Sequence, residues 1–223
     1  MRNTIVTLAL LAAVPVAAQQ PQGAQKDPTI KVKGAGVPAG WSVRLDDKDQ
    51  NRFSITDTKF VAMGSGFHVT SGPAAVYYAA KDVASGPFTA SATFRQTKAP
   101  MHPEAYGLVI GGTKLDTPAQ QYMYFLVRGD GKYFVAHRAG PDRHVIVDWT
   151  DNAAINKQDA SGVATNALSM QATADSVFLS VNGTRVKSFA RADLHGFVTD
   201  GQVGLRVNHN LDVHVSNFAV KKG

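Results

Sequence analysis

From Trp41 onward the chain alternates apolar and polar positions in short runs, and each run stops at Gly, Pro, Asn or Asp. In the clearest run, Phe88, Ala90, Ala92 and Phe94 interleave with Thr89, Ser91, Thr93 and Arg95, the period-two signature of a half-buried strand. Similar runs are Trp41 to Leu45, Phe60 to Met63, Phe67 to Thr70, Ala75 to Ala79, Tyr106 to Ile110 and Val145 to Trp149. Others follow at Leu168 to Ala172, Val177 to Val181, Val203 to Val207 and Val213 to Val220. In the last of these, Ser216-Asn217 shifts the phase as a bulge would. Asn152 to Val163 reads as a polar loop, and almost nothing has a helical period. More than ten short strands at regular spacing predict an all-β protein, an antiparallel two-sheet β-sandwich.

Turn residues refine the pairing. Gly64-Ser65-Gly66 joins the Phe60 and Phe67 runs as a hairpin, and Asn182-Gly183 predicts a type I′ turn with Val181 opposite Thr184 and Leu179 opposite Val186. The stretch Gln121 to Arg138, QYMYFLVRGDGKYFVAHR, reads as a hairpin about Asp130-Gly131. A two-residue turn there sets Arg128 opposite Tyr133, Leu126 opposite Val135 and Tyr124 opposite His137. Met123, Phe125, Val127, Phe134 and Ala136 then form a core face. Tyr122, Tyr124, Arg128, Tyr133 and His137 form an aromatic and polar platform suited to stacking sugar rings and bonding their hydroxyls.

Five segments carry a family resemblance: GPFTASATFRQ (86–96), AYGLVIGG (105–112), YMYFLVRGDGKYFVAHR (122–138), VFLSVNGTRV (177–186) and GQVGLRVNHNLDVHVSNFAV (201–220). Together they resemble the concanavalin-A-like lectin/glucanase jelly roll, in its laminin-G-like and 3-keto-disaccharide-hydrolase-like secreted bacterial forms. The resemblance spans roughly residues 38–221. It implies a jelly-roll sandwich and says little of activity, because fold alone does not fix function. Family 16 glucanases of this fold carry Glu-x-Asp-x-x-Glu on one strand. This chain has one glutamate, Glu104, so that mechanism has no carrier here.

Residues 1–18 read as a secretory signal, with Arg2 as the positive n-region, Ile5 to Val14 as the apolar core and Val16-Ala17-Ala18 as the cleavage site. The apolar run is too short to span a bilayer. Residues 19–37 read as a polar leader and 38–223 as a single domain, which places the protein outside the cytoplasm, secreted or periplasmic. There is no cysteine, which removes thiolate catalysis and zinc–cysteine sites and leaves stability to burial. The net charge is +6, but Lys and Arg are scattered rather than clustered in the stripe that nucleic acid requires. Nucleic acid is therefore not an expected partner.

The remaining candidate chemistry lies in three clusters. His102 and Glu104 precede the Tyr106 strand and are the acid/base candidates if the protein is an enzyme. Arg206, Asn208, His209, Asn210 and His214 are the densest polar group late in the chain, and Arg206 and His209 join the ligand-binding candidates. Asp46, Asp47 and Asp49, with Asn51, supply calcium-type oxygens, although Arg52 stands where an EF-hand needs Gly. No organic cofactor is implied, and structural calcium is the one ion left open. Three readings follow: a non-catalytic module binding an oligosaccharide or cell-envelope glycan, a glycan-active hydrolase or lyase, and a structural envelope-interaction domain.

Overall fold

A computed structural model describes residues 29, 32–34, 36–194 and 196–223. The predicted signal (1–18) and most of the leader lie outside the described residues. Among the described residues no helix is long and apolar enough to cross a membrane. The regular elements are β-strands and two short 3-10 turns. In chain order the strands are β1 Trp41–Leu45, β2 Thr58–Met63, β3 Gly66–Ser71, β4 Ala75–Ala84, β5 Phe88–Gln96, β6 Ala105–Thr113 and β7 Gln121–Arg128. They continue as β8 Lys132–Ala139, β9 Asp142–Asp151, β10 Ala164–Ala172, β11 Ser176–Val181, β12 Thr184–Ala190, β13 Gly201–Val207 and β14 Asp212–Lys222.

Two seven-stranded sheets form, ordered β1-β4-β13-β6-β7-β8-β9 and β12-β11-β10-β5-β14-β3-β2. All the pairings are antiparallel. The expected two-sheet β-sandwich is therefore the fold observed. Alternate residues of each strand turn inward, which is why period-two runs build this core. Phe88, Ala90, Ala92 and Phe94 of the second sheet meet Tyr106, Leu108, Met123 and Phe125 of the first, with Phe94 stacked on Tyr106 at 5.2 Å. Two polar links cross this apolar interior. The Tyr77 and Thr58 hydroxyls are 2.7 Å apart, and Asn166 Nδ2 donates to Tyr106 Oη at 3.1 Å. Each satisfies a phenol that burial would otherwise leave unpaired, and burial pushes the Tyr106 hydroxyl up to about 12.

The turns sort into one success and one correction. Asn182 and Gly183 both take positive φ, 50° and 80°, as a type I′ turn requires, and Val181 sits opposite Thr184. A bulge just beyond places Leu179 opposite Lys187 instead of Val186. The β7–β8 connection is not the two-residue turn expected. Gly131 N–H closes on the Arg128 carbonyl at 3.1 Å, and within 129–131 only Gly131 has a positive φ, 92°. This is a three-residue loop, a turn followed by a left-handed glycine.

The register consequently slips by one: Val127 pairs with Tyr133, Leu126 with Phe134, Tyr124 with Ala136 and Tyr122 with Arg138. A one-residue slip exchanges the faces of the whole strand. Tyr133 turns to the sandwich core and is buried there, as does Val135, while Phe134, Ala136 and Arg138 join Tyr122 and Tyr124 on the outer face.

That outer face carries a second apolar layer, built from Val76, Tyr78, Val109, Tyr122, Tyr124, Leu126, Phe134 and Ala136, with Leu115 and Trp149 packed on it. It is not a bare platform. Tyr122 and Tyr124 are only 1% and 3% exposed. The chain roofs part of this face itself: Leu115 comes from the β6–β7 loop, and the loop after β1 reaches across to Arg206 and Gln120.

Candidate functional site

Where the roof stops, a cavity of about 300 Å³ opens onto the first sheet. Its wall on one side is Asp46, Asp47 and Lys48 of the β1 loop; on the other it is Arg138, Pro141 and Arg143 of the β8–β9 hairpin. Tyr124 and Arg206 line the rest. The hairpin owes its shape to Gly140-Pro141: Ala139 pairs with Asp142, Gly140 takes φ 60°, and proline's fixed negative φ suits the next position. Arg138 and Arg143 are therefore directly opposite each other.

Arg206 organises the site. It is 6% exposed, and its Nη1 and Nη2 each donate to one oxygen of Asp46 at 2.8 Å. Nη1 also donates to Tyr122 Oη at 3.3 Å, and the guanidinium stands 5.2 Å from the Tyr124 ring centre. Burial works to raise the Asp46 carboxyl, but the charge and hydrogen bonds of Arg206, with Arg138 and Lys48 behind, hold it below the ordinary carboxylate range. Asp47 accepts from Arg44 and from Gln120 Nε2, the latter at 3.1 Å. The two tyrosines thus act first as a bed for Arg206, and only Tyr124 borders the cavity.

The other predicted site residues are dispersed. Arg128 lies at the end of β7, bonded to Asp130 of its own turn and stacked 4.3 Å over Trp149, so it does not line the cavity. Tyr133 packs edge-on to Phe125 at 6.1 Å. His137, expected on the platform, lies opposite Met123 on the core side, its ring 4.8 Å from Phe197 and 5.8 Å from His144. Burial and the neighbouring His144 lower its pKa. Both corrections follow from the three-residue turn.

His209 pairs with Glu104, Nδ1 to Oε1 at 3.2 Å, in the β13–β14 turn beside the start of β6. Asp49 lies near them and is 7% exposed; burial, with Asp46 adding, raises its carboxyl despite the opposing charges of Lys48, His209 and Arg52. His102 stays in the loop before β6. His214 belongs to the second sheet, opposite His68, so it is parted from Arg206 and His209. Asp46 and Asp47 direct their carboxylates to arginines, and among the described residues no group of three or more His, Asp or Glu is placed to hold a metal.

Lys48, Arg138 and Arg143 were not anticipated. The signal for the last two was present in Gly140-Pro141, which fixes their pairing, and in Gly131, whose three-residue loop sets Arg138 beside Tyr122.

Comparison with solved structures places this fold. The carbohydrate-binding module CBM66 from Bacillus subtilis superposes with a TM-score of 0.58 at 13% identity, covering 82% of this chain and 96% of that one. A galectin-like-fold protein of unknown function from Bacillus subtilis gives 0.59 at 12% identity, covering 82% and 89%. A family 16 endo-glucanase from Bacteroides ovatus gives 0.55 at 9% identity, covering 79% and 92%. At these identities the likeness establishes the fold, the concanavalin-like jelly roll that the sequence resembles. No protein-family model matches the chain, and no curated protein matches it.

Proposed function

We propose that this concanavalin-like jelly roll is a carbohydrate- or glycoconjugate-binding module, non-catalytic, working in a secreted or periplasmic setting on an oligosaccharide or envelope glycan. The observation that carries the reading is the cavity on the outer face of the first sheet. An aromatic ring at Tyr124 and fixed charged groups converge there in a volume of about 300 Å³, at the lower end of the range for small-molecule sites. Tyr124 contributes an edge of the lining, and the guanidinium N–H groups supply donors for sugar oxygens. That one structural neighbour is named a carbohydrate-binding module agrees with the reading by analogy of fold only.

The test is a thermal-shift and calorimetric screen of residues 19–223 against a broad oligosaccharide panel, in calcium and in chelator. A ligand confined to the folded state raises the melting temperature by mass action. Binding that is lost in folded Tyr124→Leu supports the cavity; affinity unchanged in that variant sinks it. Loss of stability in chelator with no sugar response would favour a calcium-stabilised structural domain built on the Asp46 loop.

A second reading, a glycan hydrolase or lyase, has one observation behind it. The chain's single glutamate is paired with His209 next to a buried Asp49 whose carboxyl is raised, an arrangement able to exchange protons. Turnover of a bound glycan that disappears in Glu104→Gln would put this reading first.

A further inference from the structure

We propose that the cavity selects anionic glycans, a carboxylate or sulfate on a sugar ring being received between Arg138 and Arg143, with Tyr124 in the lining below. The inference rests on the binding reading above and adds the charge of the ligand.

The argument starts from an imbalance. Arg138 and Arg143 are directly opposite in the β8–β9 ladder, and like charges at such positions destabilise a sheet. Three other arginines, all largely buried, are answered by acids: Arg44 with Asp47, Arg128 with Asp130, Arg206 with Asp46. Among the described residues no carboxylate lies within ion-pair distance of Arg138, Arg143 or Lys48, all of which line the cavity. The acids on the same wall act on them only at a distance: Asp46 pairs directly with Arg206, and Asp47 with Arg44 and Gln120.

The two guanidiniums are also positioned differently. Arg138 is half-buried and fixed by a 2.8 Å bond from Nη1 to the Pro141 carbonyl, while its Nε is buried with no partner. Arg143 is exposed, its guanidinium 5.8 Å from the Phe134 ring centre. One arginine is a fixed donor and the other is free to close on a ligand. A planar guanidinium matches the paired oxygens of a carboxylate or sulfate, where a neutral sugar offers none. A neutral sugar would also need acceptors for its hydroxyls. The carboxylates able to supply them here already accept from arginine.

The experiment compares ligands that differ only in charge. Oligogalacturonate and its methyl ester form one arm; a sulfated galactan oligomer and its desulfated form make the other. Each is titrated calorimetrically into wild type, Arg143→Gln and Arg143→Lys, with melting temperature as the folding control. The expected result is binding of the charged member of at least one arm, weakened about tenfold or more in Arg143→Gln, the scale of one charge-assisted hydrogen bond. Arg143→Lys recovers only part, because it restores charge without the fork. Raising salt from about 0.05 to about 0.5 M weakens the charged ligand and not the neutral one. Without ligand, Arg143→Gln melts at the same temperature or higher, the repulsion being relieved. The arm that binds identifies carboxylate or sulfate. Equal binding of neutral and charged members, or Arg143→Gln without effect, overturns the inference and leaves the binding reading standing. No binding of any of the four overturns the inference; silence across the broad oligosaccharide panel as well overturns the binding reading.

Discussion

Asp46 and Arg206 stand 160 residues apart in sequence and meet through two parallel hydrogen bonds of 2.8 Å, over the Tyr122 hydroxyl. The loop after β1 is thereby fastened to a strand laid down near the end of the chain. Both side chains are largely buried, so removing one partner strands a charge in a poorly solvated place. Asp46→Ala is expected to cost about 3–5 kcal/mol in urea unfolding. The double variant Asp46→Leu, Arg206→Met is expected to recover part of that, because an apolar pair replaces the ion pair and strands no charge, while the Tyr122 hydroxyl loses its partner. A cost below about 1 kcal/mol for Asp46→Ala would mean the pair behaves like an exposed one.

Two pH windows are expected. Asp46 and Asp212 both ionise below the ordinary carboxylate range. For each, burial opposes the shift; Arg206 overrides it at Asp46, and the Thr97 hydroxyl, His68 and Thr70 override it at Asp212. A depressed folded pKa gives stability that is complete above the unfolded value, about 3.9, and is lost as pH falls through the folded one. Asp212→Asn should shrink this acid limb. His137 is also depressed, by burial and by His144, so its neutral form is favoured in the fold. Its contribution is complete above the unfolded value of about 6.5 and declines as pH falls below it. His137→Phe should flatten that limb; a stability profile between pH 5 and 7 identical to wild type (on the scale of the histidine pKa) would sink the assignment.

Two glycines separate conformational cost from collision. At Gly131, φ is +92° and the nearest atoms to a Cβ would be those of the Lys157 side chain, at 2.5 Å from its Cε, which can swing away. Gly131→Ala is therefore expected to cost about 1 kcal/mol, the backbone term alone. At Gly162, φ is +83° and a Cβ would fall 1.9 Å from the Ala99 backbone nitrogen, which cannot yield without moving a strand connection. Gly162→Ala should cost several times more by chemical denaturation; equal costs would contradict the close approach.

The strands were legible because a sandwich imposes period two wherever one face is buried: Phe88 to Arg95 and Leu168 to Ala172 lie as the alternation says. The Asn182-Gly183 turn was legible because both its residues tolerate positive φ. The candidate site was less so. Asp130-Gly131 admits a two- or a three-residue loop, and that single choice moved Tyr133 and His137 to the core side and brought Arg138 to the outer face. Nor does local pattern announce that the Asp46 loop folds over the sheet; the cause is a long-range pairing with Arg206. Tyr122 and Tyr124 were anticipated on one face, and Arg206 among the ligand-binding candidates, but as an open platform rather than the buried seat of an ion pair.

The seam between the β1 loop and β13 makes the cavity depend on a contact of long sequence separation. Its hairpin wall, β8–β9, is local and can form early, whereas the opposite wall stays unanchored until β13 has been inserted between β4 and β6. A chain lacking β13 would present Arg138 and Arg143 without the opposite wall of the cavity. Under the proposed binding reading, ligand affinity then becomes a readout of topological completion, since the receiving walls come from the two halves of the chain.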